Sequence, residues 1–275
     1  MINKTRWIKK KFIGVDFSGS ARAGNLIWLA IGVYENGGLK IIDCRRARDL
    51  PGGGIKRDLA LTALRVFIGQ QKNAVVGLDF PFSLPQQLVE EVSWENFILS
   101  FPGKYNSPGN FRKACFEAAG RQELKRKTER ESKAPFSPYN LRLYRQTYFG
   151  ICDLFYPLLK NDQISVLPMQ EPETAKPWLI EICPASFLKH EGINISYKGR
   201  SECDRQEKYR ARQEILGFME NTKSVRFELP ELRETIFNNR GGDALDSVIA
   251  AYCTLKVDGE IVPAYEVGIE GYIYY

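Results

Sequence analysis

Two short apolar runs in this chain end in an aspartate: Phe12-Ile13-Gly14-Val15 leads into Asp16, and Val75-Val76-Gly77-Leu78 leads into Asp79. A third run, Trp178-Leu179-Ile180, meets Glu181, and Asp243-Ala244-Leu245-Asp246 opens a stretch of helical periodicity. A carboxylate delivered by an apolar segment is costly to bury unless something pairs with it. Several such acids converging on one place suit a divalent cation, and a two-metal phosphodiesterase needs three or four of them around ions ~4 Å apart. Oxygen donors of this kind favour Mg²⁺ or Mn²⁺, the cofactors expected here.

Each acid also has a plain structural reading. Asp16 and Asp79 can simply end strands, since aspartate is common in turns. Asp243 follows Gly241-Gly242 and suits an N-cap, with Asp246 complementing the helix dipole. Glu181, within a strand, can pair with a lysine or arginine. Taken jointly, four unrelated explanations are needed for four acids, and that weakens the structural alternative.

The elements that must carry these acids can be read from periodicity and turn residues. Strands are expected at 12–17, 26–34 and 39–44, the last two joined at Asn36-Gly37-Gly38, a hairpin signal. Residues 56–69 place Leu61, Leu64, Phe67 and Ile68 at helical spacing and stop at Gly69. The run 74–79 is nearly all apolar, as a central strand is, and ends before Pro81. From 84 to about 176 the pattern is helical and broken by prolines, which predicts a large, mostly helical insertion packed on the sheet edge. A strand returns at 178–183, helices follow at 203–220 and 243–256, and the β-prone Gly271-Tyr272-Ile273-Tyr274-Tyr275 closes the chain. Three antiparallel strands, a helix, a parallel strand and later βα material describe an α/β domain of ribonuclease H-like fold, a mixed five-stranded sheet flanked by helices. Asp16 and Asp79 then stand on neighbouring strands. Asp243 and Asp246, three residues apart, share one helical face, with Leu245, Val248, Ile249, Tyr252 and Leu255 on the other.

At 275 residues and 44% hydrophobic, the chain can bury a substantial core. Its six cysteines show no CxxC spacing, which argues against a zinc site or a disulfide framework and for reduced thiols. The basic N-terminal stretch Met1 to Lys11 is not a signal peptide, because Asp16, Ser18, Ser20 and Arg22 interrupt the apolar segment it would need. No window spans a bilayer. A soluble, cytoplasmic protein with no membrane partner is expected.

The net charge is +6, and ten basic residues between Arg112 and Arg145, opposed by four glutamates, account for an equal excess. Phe111, Phe116, Phe136, Tyr139, Tyr144 and Tyr148 are interleaved with them. That pattern suits nucleic acid, a polyanion with stackable bases; a solvated helical face is the alternative.

The ordered motifs Phe12-Ile13-Gly14-Val15-Asp16, Gly77-Leu78-Asp79-Phe80-Pro81, Ile180-Glu181-Ile182-Cys183-Pro184 and Asp243 through Ala251 resemble those of the DUF429 family, described as predicted nucleases of ribonuclease H-like fold. Glu270-Gly271-Tyr272-Ile273-Tyr274 resembles that family's closing signature. The helix motif is also similar to that of Holliday-junction resolvases, whose paired aspartates bind metal; their second-strand acid is typically glutamate, where this chain has the shorter Asp79. The resemblance implies a metal-dependent nuclease. Asp16, Asp79, Asp243 and Asp246 would ligate the metal. Asp16, Asp79, Glu181 and Asp243 would form the catalytic set, with Glu181 positioning water or a second ion. Arg112, Lys113, Lys127 and Arg240 are the expected contacts to substrate. Ser18-Gly19-Ser20 resembles the phosphate-contacting hairpin of actin-like ATPases, which makes Ser18 and Ser20 further substrate contacts and leaves a nucleotide-dependent phosphotransferase as one alternative. A nucleic-acid-binding protein without turnover is another. His190, the only histidine, has no nucleophile near it in sequence and carries no triad.

Overall fold

Alternation across the pleat divides the apolar residues of this chain between two cores. The computed structural model describes residues 11–199, 205–257, 262 and 264–275; Cys203 and most of the basic N-terminal stretch lie outside them. Its strands are β1 (Lys11–Asp16), β2 (Trp28–Glu35), β3 (Gly38–Arg46), β4 (Ala74–Leu78), β5 (Ser165–Leu167), β6 (Trp178–Ile182), β7 (Val225–Phe227) and β8 (Ile273–Tyr274). They form one mixed sheet in the order β5-β6-β4-β1-β2-β3-β7, with β8 also pairing with β6. Only β1-β2 and β2-β3 are antiparallel; every other pairing is parallel.

Among the described residues the sheet therefore has eight strands where the sequence predicts five. The additional β5 and β7 are three residues long each, too short for alternation to register, while the two-residue β8 falls within the β-prone closing segment. The five expected strands all form, and Asn36 and Gly37 make the hairpin turn with φ of 49° and 80°, the left-handed pair such a two-residue loop requires.

The helices are α1 (Arg57–Gly69), α2 (Trp94–Lys104), α3 (Pro108–Ala118), α4 (Lys127–Glu131), α5 (Tyr144–Phe149), α6 (Tyr156–Lys160), α7 (Pro184–His190), α8 (Arg205–Asn221), α9 (Pro230–Asn238), α10 (Asp243–Lys256) and α11 (Ala264–Val267). On one face Ile13, Val15, Val76, Leu78 and Leu179 pack with α1 and with aromatics of the 84–160 segment, among them Phe97, Phe101 and Phe155. On the other face Phe12, Ala30, Val75, Ile180 and Ile182 pack with α7, α8 and α10. The helical segment thus packs on a face of the sheet and not only at its edge, because its aromatics share one core with strand residues and α1. Among the described residues no helix is long and apolar enough to cross a membrane, and Cys44, Cys115, Cys152, Cys183 and Cys253 are free thiols.

Candidate metal centre

Both aspartate-ending strands carry a glycine two residues before the acid, and these glycines build the site. Gly14 and Gly77 are cross-strand partners in the parallel β1-β4 ladder. A Cβ on Gly14 would fall 2.0 Å from the carbonyl oxygen of Ser247 and 2.2 Å from the amide nitrogen of Ala251; one on Gly77 would fall 2.7 Å from Thr254. The pair makes a bare strip on the sheet into which the backbone of α10 sinks. Side chains two apart on a strand share a face, so Asp16 and Asp79 project on the same side as that helix. The amide of Asp79 donates to the carbonyl of Val15 at 3.0 Å, which fixes the two acids side by side at the ends of parallel strands.

Helix α10 completes the cluster. It starts at Gly242, whose φ of 79° is left-handed, so Asp243 is the first helical residue and not the cap. Asp246, one turn in, is buried and points at the strand ends. One carboxylate oxygen from each of Asp16, Asp79 and Asp246 lies within 4.8 Å of the others. Three carboxylates at this spacing can hold a metal ion, and an all-oxygen donor set fits a hard divalent cation.

Two groups from the coil before α8 reach into the cluster. The Tyr197 hydroxyl donates to Oδ1 of Asp246, and the Lys198 ammonium pairs with its Oδ2. Burial pushes the Asp16 carboxyl well above the usual range, with Asp246, Asp243 and Asp79 adding to the rise and Lys198 opposing it. Burial likewise pushes Asp79 up to about 7, against the pull of Lys198 and with Asp246 and Glu181 reinforcing it. The partial burial of its ammonium would lower Lys198, whose side chain is half exposed, yet Asp246, Tyr197 and Asp16 hold its pKa above the ordinary lysine value.

Glu181 is brought to the same pocket but faces the opposite core. Its neighbour Ile180 is in register with Gly77, and Glu181 is in register with Leu78, so the pleat turns Glu181 away from Asp79. There it accepts from both terminal nitrogens of Arg126, with Nη1 to Oε2 at 2.9 Å, and from the amide of Phe82 at 2.9 Å. Arg126 is fully buried, and its Nε donates to Glu129 at 2.7 Å. Burial opposes the Arg126 charge; Glu129 and Glu181 more than offset it and raise its pKa. The structural reading of Glu181, pairing with an arginine, is the one its contacts match.

A cavity of about 240 Å³ joins these parts. Asp16, Asp79, Asp246 and Lys198 line one side, Arg126, Glu129 and Glu181 another, and Phe136, Arg142, Leu143 and Gln146 close over them. Asp243 is half-buried with its carboxylate against Gly241; it acts on Asp16 through space but stands outside the three-acid cluster.

The expected substrate contacts do not gather at this cavity. Ser18 and Ser20 turn their hydroxyls back on the amides of Ser20 and Arg22, both at 3.3 Å. A Cβ on Gly19 would fall 2.4 Å from the Arg145 carbonyl oxygen, so α5 covers the backbone that a phosphate-binding hairpin would present. Arg112 lies over the Phe116 ring, and Lys113 pairs with Glu117 at 4.0 Å. Lys127 pairs with Glu131 at 3.8 Å and lines a separate, smaller cavity. Arg240 accepts, through its carbonyl, the amide of Gly199. Of the interleaved aromatics, Phe111, Tyr139 and Tyr148 are buried, Phe116 and Tyr144 pack partly on the core, and Phe136 lines the cavity. Sequence reasoning missed Tyr197, Lys198 and Gln146 at the site, and it counted Arg126 and Arg142 only among the ten basic residues of the 112–145 segment, without setting them apart. Nothing in their local sequence distinguishes them.

No family model, no curated protein and no solved structure matches this chain.

Proposed function

We propose that the protein is a metal-dependent phosphodiester hydrolase acting on nucleic acid, the activity that the resemblance to the DUF429 family implies. The observation that carries this reading is the convergence of Asp16, Asp79 and Asp246 within 4.8 Å at the ends of parallel strands, inside a cavity that also presents cations. Asp16, Asp79 and Asp246 would hold Mg²⁺ or Mn²⁺. Such an ion supplies Lewis-acid charge and makes water a nucleophile near neutral pH.

The chain's own groups do the rest. Arg142 and Lys198 offer positive charge to a phosphate on the cavity wall, and Arg142 sits 5.4 Å over the Phe136 ring, a flat surface against which a base or sugar can lie. Arg126 compensates Glu129 and Glu181, so the deeper wall keeps its shape without drawing the ion away from the three aspartates. The test is cleavage of single- and double-stranded DNA and RNA with Mn²⁺ or Mg²⁺, using wild type and Asp16→Asn. Loss of cleavage by at least a hundredfold in Asp16→Asn is expected, and activity unchanged by that substitution would exclude this reading.

A further inference from the structure

The segment Tyr197-Lys198-Gly199 is coil, yet it is held on both sides of the lysine. The buried Arg212 donates from Nη1 to the Tyr197 carbonyl at 3.0 Å and from Nε to the Phe237 carbonyl at 3.1 Å. The Gly199 amide donates to the Arg240 carbonyl at 3.1 Å. Between these anchors the Tyr197 ring is buried and its hydroxyl is tied to Asp246. A Cβ on Gly242 would fall 2.9 Å from Cγ of Lys198 and 3.0 Å from the Tyr197 ring, so the lysine stem is seated against the start of α10. Half of the Lys198 side chain is exposed, yet its backbone is anchored on both sides, its stem lies against Gly242 and its ammonium pairs with the buried Asp246.

From this we infer that the centre is built for one divalent ion, held chiefly by Asp16 and Asp79, with the Lys198 ammonium on Asp246 in the position a second ion takes in a two-metal centre. The inference rests on the metal reading above and deepens it. Charge supports it. Three carboxylates and one ammonium leave two negative charges, which a single divalent ion neutralises; two such ions beside Lys198 would reverse the sign of the charge on these four groups before any substrate arrives. Geometry supports it as well, because the Tyr197 hydroxyl already donates to Oδ1 of Asp246 and the Lys198 ammonium is paired with its Oδ2. Lys198 is then a positioning residue: it orients Asp246 and sets how many ions the site accepts.

The experiment is a Mn²⁺ titration by calorimetry, with electron paramagnetic resonance of the loaded protein, on wild type, Lys198→Met, Lys198→Arg and Asp16→Asn. Wild type and Lys198→Arg are expected to bind one Mn²⁺ per chain and to show the spectrum of an isolated ion. Lys198→Met is expected to take up a second Mn²⁺ and to lose signal through spin coupling; Lys198→Gln replaces it should thermal melting show that Lys198→Met is unfolded. Two coupled ions in wild type, or one ion in wild type and in the folded neutral variant alike, would overturn the inference and leave the metal site standing. No binding to wild type, or binding that Asp16→Asn leaves intact, would remove the metal reading itself and this inference with it.

Discussion

Asp79 shows how a single residue links burial, charge and metal binding. Burial pushes its carboxyl up to about 7, while in the unfolded chain it titrates near the ordinary value of about 3.9. Between those two pH values the folded protein holds a proton that the unfolded chain has released. The folded-state preference is fully present below about pH 4 and is lost as pH rises through about 7. Asp79→Asn removes the ionisable group at nearly constant shape. In EDTA, the variant should melt above wild type at pH 8, by up to a few kcal/mol of stability given about 1.4 kcal/mol per pKa unit, and should show no gain at pH 4. A gain of equal size at both pH values would mean that packing, and not ionisation, is responsible. The same proton competes with a cation, so Mn²⁺ affinity of wild type should rise from pH 5.5 to pH 8, as calorimetry would show. At this scale the sequence was informative about acids and silent about their partners. Asp16, Asp79 and Asp246 could be found because each ends an apolar run or sits on a helix face. Lys198 could not, because a coil residue reaches its place through anchors such as Arg212 and Arg240 that only the tertiary fold supplies. Glu181 lines the same cavity but turns to the opposite core. Its face depends on the register of β6 against β4, and a shift of one residue reverses it.

Secondary-structure elements place these residues through contacts finer than hydrophobic patterning. The five long strands, α1 and α10 could be read from periodicity, and their observed bounds differ from the expected ones by about two residues at most, the usual uncertainty at element ends. The position of α10 against the sheet depends instead on Gly14 and Gly77, each of which looks like an ordinary strand glycine in the sequence. A methyl group on Gly14 meets backbone atoms of Ser247 and Ala251 at 2.0 and 2.2 Å, and backbone cannot turn aside as a side chain can. Gly14→Ala should therefore cost about 3 kcal/mol or more, at or beyond the upper end for overpacking, and should weaken Mn²⁺ binding by moving Asp246 off the strand ends. Gly103→Ala, at an exposed position of α2 with nothing within 4 Å of the added carbon, should be neutral or stabilising by up to about 1 kcal/mol. Urea denaturation of both variants checks the contrast. Equal destabilisation would show that the close approach of α10 is not what the glycine at position 14 provides.

Across the whole molecule, the basic segment divides into a buried clasp and a solvated surface. Arg126 pairs with Glu129 on the adjoining α4 and joins it to two distant parts of the chain, Glu181 on β6 and the Glu270 carbonyl before β8, the last at 2.8 Å. The Glu270 carboxylate accepts from the amides of Gln86 and Lys127, and the Ile273 amide donates to Thr128. Arg126→Met would leave Glu129 and Glu181 buried without their cation, at a cost of about 3–5 kcal/mol. Adding Glu181→Gln should recover part of that loss, and guanidinium titration of the single and double variants measures it. Composition showed the charge excess but not this division, since nothing marks Arg126 as different from Lys127 beside it. The same division bears on substrate. Arg142 lines the cavity beside the three acids, whereas Lys113 pairs with Glu117 on α3 and does not line it. If phosphate is gripped at the cavity, Arg142→Ala should weaken nucleic-acid binding several-fold and reduce the slope of log affinity against log salt by about 0.7–0.9, the loss of one phosphate contact. Lys113→Ala should leave both affinity and slope within error. Binding measured by fluorescence anisotropy from 50 to about 200 mM salt, the range over which such contacts are resolved, distinguishes the two. A loss confined to Lys113→Ala would move the interface to the outer face of α3 and away from the acids.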